Sequence, residues 1–227
     1  MSHNEKEIIK HIAYGIGALV LAGMAIAMPL YVLLGGTGAA LAVQWVVVIV
    51  LLVLVWKEGK IVRVRTQGAG GERRVKTVLR KLDERFRVLG NVVIGNKGDI
   101  DFVVVGPTGV WVIEVKSHKG RIRVDGDRLL RDNKIFDKDF LRQVRGATYA
   151  LKDELRKRFP QQLYIQPAVV FSSPYAKLGI EWNKADDTYV IGLAQLNALL
   201  ERQEVQRLSA DEIARITDAI RSAVKRK

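Results

Sequence analysis

Asp101-Phe102-Val103-Val104-Val105, then Gly106-Pro107-Thr108-Gly109, then Val110-Trp111-Val112-Ile113-Glu114-Val115-Lys116 is the stretch that decides the fold. Both apolar runs are β-branched and aromatic, the composition of strands, and the Gly-Pro-Thr-Gly turn between them predicts a hairpin. Strand side chains alternate with period 2, so Glu114 and Lys116 share a face. Asp101 opens the first strand and Glu114-Val115-Lys116 closes the second. Two carboxylates and an ammonium therefore meet at adjoining strand ends. Hard oxygen ligands of this kind suit Mg²⁺, which takes one or two carboxylates and keeps waters for a substrate phosphate. The plain alternative is that Asp101 and Glu114 are ordinary strand-edge charges.

Working outward, the chain on the N-terminal side loses its charge altogether. Residues 12–56 are 45 consecutive positions without Asp, Glu, Lys or Arg, interrupted by Gly35-Gly36-Thr37-Gly38. A bilayer core is crossed by about 20 helical residues. The expectation is a transmembrane helical hairpin over 13–56, with spans 13–34 and 39–56. Lys6 and Lys10 precede it and Lys57, Lys60, Arg63 and Arg65 follow it, while the turn has no cation. The positive-inside rule then puts both termini and the 57–227 portion in the cytoplasm, in a bacterial inner membrane. Residues 1–12 are read as a short cytoplasmic segment and 57–70 as a juxtamembrane linker. The basic run 57–65 faces anionic lipid on this reading. No cysteine is present, which excludes disulfides and thiolate metal sites.

The C-terminal portion holds the charge. The chain has 37 Lys and Arg against 24 Asp and Glu, and two of each sign lie before residue 12. The remaining 35 and 22 leave 57–227 with the whole +13 excess. Such a balance points to a polyanionic partner. Its pattern is mixed α/β. Gly68 to Gly71 reads as a loop, Glu72 to Phe86 as an amphipathic helix and Asn91 to Ile94 as a short strand. Arg121 to Asp125 reads as a third strand after the hairpin, and Asp137 to Phe159 as a long helix stopped by Pro160. Pro167 to Ser172 and Thr188 to Ile191 are buried strands and Leu193 to Leu200 is helical. Ser209 with Glu212 is a capping-box pattern that starts the last helix.

These motifs in order are similar to the nuclease-related domain (NERD) family of the PD-(D/E)xK nuclease superfamily. The resemblance is carried by Gly71-Glu72, by Gly98-Asp99-Ile100-Asp101-Phe102-Val103-Val104-Val105, by Gly109 to Lys116 and by Gly120, and it runs from about Gly71 to about Leu151. It implies a restriction-endonuclease-like mixed sheet flanked by helices, as a domain over 71–227. It implies that Asp101, Glu114 and the backbone carbonyl of Val115 hold Mg²⁺, with Mn²⁺ as a substitute, and that Lys116 orients a water or stabilises developing charge. Glu72 matches an acidic helix residue, either bound to the metal's water shell or simply favoured near a helix N-terminus. Gln143 matches a helix Gln, either bonded to phosphate or Lys116 or a plain surface amide. Two departures stand out: Phe102 where the family often has His, and Ser117 where it commonly has Asn. Asp99 is read as a loop acid, and His118, with no second His at zinc spacing, as a loop residue. The implied function is a membrane-anchored Mg²⁺-dependent nuclease acting on nucleic acid, DNA rather than RNA. The alternative is a non-catalytic module on the same fold that binds nucleic acid or protein at the membrane.

Overall fold

The computed structural model describes residues 68–94, 99–159, 163–178, 183–202 and 208–223, together with helical positions 17, 23, 45, 46, 48–50, 52 and 53. The chain divides into two compact units, Met1–Gln67 and Gly68–Lys227. The expected spans 13–34 and 39–56 lie almost wholly outside the described residues. Among those described, no helix is long and apolar enough to cross a membrane. In the first unit, helical Trp45, Val46, Ile49, Val50, Leu52 and Val53 leave an apolar face exposed.

The second unit opens on helix α1, residues 68–79, and continues with β1 (Arg87–Val93), β2 (Asp99–Gly106) and β3 (Gly109–Lys116). Strands β4 (Gly120–Asp125), β5 (Arg128–Arg131) and β6 (Lys134–Ile135) precede helix α2 (Phe140–Arg156). Then come β7 (Ile165–Phe171), β8 (Ala176–Lys177), β9 (Asn183–Ala185) and β10 (Thr188–Gly192). A 3-10 turn, Leu193–Gln195, leads into helix α3 (Leu196–Glu201), and helix α4 (Ala210–Ala223) follows. The main sheet runs β1-β2-β3-β7-β10-β9 and a smaller one β6-β5-β4-β8.

The expected hairpin forms: β2 and β3 pair antiparallel from Phe102↔Ile113 to the Gly106↔Gly109 turn. β3 then pairs parallel with β7, Glu114 lying opposite Val169. Period 2 divides the side chains of β2 and β3 between two cores. Val103, Val105, Val110 and Val112 pack with Leu141, Val144 and Leu151 of α2 and with Ile216 and Ile220 of α4. Phe102, Val104, Trp111 and Ile113 pack with Val75 and Leu79 of α1 and with Leu196 and Leu199 of α3. Both faces of the central strands are covered, so their sequence is a near-continuous apolar run. Burying each such Val, Leu or Ile contributes about 1.5–3 kcal/mol.

Several boundaries move. Residues 68–70, expected as loop and linker, are already helical, and α1 ends at 79, short of Phe86. The linker expected over 57–70 therefore gives way to helix by residue 68. Phe86 instead sits under Gly106, whose missing Cβ would lie 2.2 Å from the ring. Asp99, expected in a loop, is the first residue of β2. The strand read at Asn91 to Ile94 begins at Arg87, where polar residues on an exposed edge mask the period. The strand at Arg121 to Asp125 exists but belongs to the smaller sheet, whose β5 and β6 are too short and too polar to stand out. Asp139 caps α2, its carboxylate accepting from Arg142 N at 2.9 Å, so the helix starts at Phe140, three residues after the Asp137 expected. The capping box before α4 is present: Ser209 N donates to Glu212 Oε2 at 2.8 Å and Glu212 N to Ser209 Oγ at 3.3 Å.

Candidate active site

The site forms where β2 and β3 part. Their ladder stops at Phe102↔Ile113, and Asp101 and Glu114 are the next pair, on the α2 face of the sheet. Beyond the last ladder bond, Val115 N–H has no strand partner on the β2 side. The Asp101 carboxylate takes it, Oδ2 accepting at 2.7 Å. Backbone N–H and C=O of one strand residue face the same neighbour, and successive residues alternate. Lys116 C=O is used on the β7 side, accepting from Ser172 N at 2.8 Å. The Val115 carbonyl therefore faces the same side as Asp101.

Glu114 is 5% exposed, and its Oε1 is held by two donors. Lys116 Nζ lies 2.5 Å away and Gln143 Nε2 lies 2.8 Å away. Gln143 Oε1 in turn accepts from Lys116 Nζ at 3.3 Å, so the amide bridges the ion pair. The Lys116 ammonium also rests 4.4 Å from the centre of the Phe140 ring. Gln143 reaches this position from α2, one turn after its Asp139 cap, with Gln143 N donating to Asp139 O at 3.1 Å.

Electrostatics makes the acid pair unusual. Burial pushes the Asp101 carboxyl above its ordinary value, and Asp99 adds to the rise, while the Val115 N–H and Lys116 oppose it. Glu114 is also pushed up, first by burial and then by Asp101, against the pull of Lys116 and Gln143. Glu72 is raised by burial and then by the charge of Asp101, so it lies within electrostatic reach of the pair from the opposite layer. It is the fifth described residue of α1, past the first turn, which removes the helix N-terminus as the reason for an acid there. Two like charges in low dielectric, each shifted toward its neutral form, make a site that a divalent cation relieves. Asp101, Glu114 and the carbonyl of Val115 are hard oxygen donors on one side, and the donor set fits Mg²⁺ with waters completing its shell. Among the described residues, no three Asp, Glu or His side chains converge as a metal cluster.

Sequence reading missed what supports these groups. Gly71 is buried, and a Cβ there would lie 2.7 Å from Ser172 Oγ and 3.3 Å from Ser117 Cβ. Only glycine lets α1 approach the ends of β3 and β7 this closely. Arg74 Nε donates to Ser172 O at 2.8 Å and pins the helix there. Asn91, at φ 52, sits across from Asp101 on β1. An Asn in a polar strand edge is a weak signal for a left-handed residue. His118 lies in the loop after Lys116, its ring 5.1 Å from Phe136 and 5.3 Å from Phe140, and is lowered from its ordinary value by burial and then by Arg131.

A mixed sheet between helices, with a half-buried Asp101, a buried Glu114 and a lysine at the fork of its central strands, is a nuclease-like core. Residues 67–172 match the family model described as NERD, the nuclease-related domain. An uncharacterized protein of Bacillus anthracis is 41% identical over 61 residues, which are 25% of this chain and 29% of that protein. The chain thus spans under a third of that relative's length. A solved structure, Pyrococcus furiosus SfsA in complex with Ca²⁺, is similar at 12% identity, covering 71% of this chain and 54% of that one. Its TM-score is 0.27, a likeness too slight to bear on fold or function.

Proposed function

We propose that the protein is a membrane-anchored nuclease that hydrolyses phosphodiester bonds of nucleic acid, DNA rather than RNA, with a divalent cation, Mg²⁺ or Mn²⁺. The observation that carries this reading is the pairing of half-buried Asp101 with buried Glu114 at the strand fork, both held above their ordinary values, with Lys116 against Glu114. Asp101, Glu114 and the Val115 carbonyl would hold the cation. When bound, it supplies polarisation of the scissile phosphate and a more acidic water. Lys116 stands where it can orient the attacking water or meet the charge that develops on the phosphate. Gln143 keeps that ammonium in place through its own bond to Glu114. Glu72, on the α1 side, would bond to a water of the cation's shell. Anchoring is supported by the 45 uncharged residues and by the exposed apolar face over Trp45 to Val53. Both termini and the nuclease-related domain face the cytoplasm of a bacterial inner membrane, with the basic run 57–65 against anionic lipid.

The test is cleavage of single- and double-stranded DNA and of RNA across a Mg²⁺ titration. Asp101→Asn is expected to abolish cleavage with the fold intact. Lys116→Ala is expected to lower the rate while metal binding persists. Equal cleavage by wild type and Asp101→Asn removes the assigned site. A second reading is favoured by one observation: Glu114 is already satisfied by Lys116 and Gln143. On that reading the pair is a structural lock in a non-catalytic binding module. Absence of both Mg²⁺ binding and cleavage by wild type would select it.

A further inference from the structure

Helix α1 carries Arg73, Arg74 and Lys76, with Arg80 in the turn that ends it and bonded through its N–H to Lys76 O, and helical geometry separates them. At about 100° per residue, Glu72, Lys76, Arg80 and Arg73 fall within about 100° of one another, while Arg74 points about 100° beyond Arg73. The structure bears out the division. Arg74 turns to the Ser172 carbonyl. Glu72, Arg73, Lys76 and Arg80 instead line a groove of about 610 Å³ whose other wall includes Gly90 and Asn91 of the edge strand β1. Arg73, Lys76 and Arg80 are exposed and have no carboxylate partner among the described residues. Three other arginines are paired with acids, Arg85 with Asp83, Arg145 with Asp186 and Arg221 with Asp218.

The groove borders the site: Phe102, the neighbour of Asp101 on β2, lines it together with Glu72. Asn91 drops out of the β1–β2 register between Gly90↔Phe102 and Val92↔Ile100, at the level of Asp101. The edge strand is therefore irregular where the groove meets the acids. From Arg73 to Arg80 the helix rises about 10 Å, roughly three nucleotide steps at about 3.4 Å each. We infer that this groove is the track for the sugar–phosphate strand leading away from the bond cut at Asp101 and Glu114, with Arg73, Lys76 and Arg80 as its phosphate contacts. This inference rests on the nuclease reading above. It names the path of the strand and separates Arg74, a positioning residue for α1, from its neighbours.

The full chain, purified in detergent with EDTA to prevent cleavage, is titrated with a fluorescent single-stranded oligonucleotide at several salt concentrations. Arg73→Ala/Lys76→Ala/Arg80→Ala is expected to weaken binding at least about tenfold at low salt. It should also flatten the plot of log affinity against log salt by about 2, at about 0.7 per lost contact. Arg74→Ala and the charge-matched Arg128→Ala/Lys177→Ala/Arg215→Ala are expected to keep the wild-type slope. If the groove triple binds like wild type while wild type cleaves with Mg²⁺, the track is overturned and the nuclease stands. If the triple loses adsorption to anionic phospholipid micelles but keeps the oligonucleotide, the face belongs to lipid and the inference falls. A wild type that neither binds at low salt nor cleaves with any divalent metal overturns both.

Discussion

Asp101 is the residue on which most depends. It caps Val115, faces Glu114 across the strand fork and raises the carboxyls of both Glu114 and Glu72. Because the folded-state values of Asp101 and Glu114 lie above the ordinary ones, the metal-free fold holds protons that the unfolded chain has released. Stability is then greatest below the ordinary carboxylate range and falls as pH rises through the raised folded values. Asp101→Asn keeps an acceptor for Val115 and removes one of the repelling charges. Its melting temperature without metal is expected to exceed wild type by about 3 °C at neutral pH, the shift that about 1 kcal/mol produces in a domain of this size. The gain should vanish below about pH 3, where carboxyls are largely protonated in both states. A melting temperature at neutral pH equal to or below wild type would contradict the strained acid pair. Addition of Mg²⁺ should raise the melting temperature of wild type and leave that of Asp101→Asn nearly unchanged.

Two elements carry site residues through local devices that can be broken singly. α2 delivers Gln143 from an N-cap at Asp139, whose carboxylate accepts from Arg142 N. Asp139→Ala is expected to cost about 1 kcal/mol and to loosen Gln143, lowering cleavage along with stability. Urea unfolding and rate measurements on the same protein check both. α1 delivers Glu72 through the close approach at Gly71. Gly71→Val places a branched side chain against Ser172 and Ser117, and overpacking of this kind costs about 1–3 kcal/mol. The helix is expected to move off the β3–β7 end, breaking the Arg74 bond to Ser172. Unchanged stability and rate in Gly71→Val would show that the approach is looser than the contacts imply.

At the scale of the whole molecule the arrangement has a basic domain following an uncharged N-terminal stretch. The proposed anchoring predicts that a reporter fused after Lys227 reads cytoplasmic and that a tag at Gly36 is accessible from outside. Digestion of the C-terminal domain by protease added to intact cells would sink that topology. The +13 excess sits in one portion of the chain, so nucleic-acid affinity should fall steeply with salt.

The sequence by itself determined the α/β class, the β2–β3 hairpin with its turn, and the meeting of Asp101, Glu114 and Lys116. All three rest on period 2 and one short turn, which are local. It is also the sole source for the proposed membrane spans, because 13–34 and 39–56 lie almost wholly outside the described residues. What only the tertiary structure decided is contact between residues far apart in the chain. Gln143 reaches Glu114 because α2 covers the hairpin face that Val103 and Val112 share. Glu72 reaches Asp101 because Gly71 has no Cβ. The smaller sheet appears because β4 finds β8 across the chain, a pairing no periodicity announces. Helical spacing sets Arg74 apart from the other basic residues, but only the structure shows it bonded to the Ser172 carbonyl and the others lining a groove. Local periods fix which face a side chain takes; what that face meets is set by long-range packing, where many weak contacts compete.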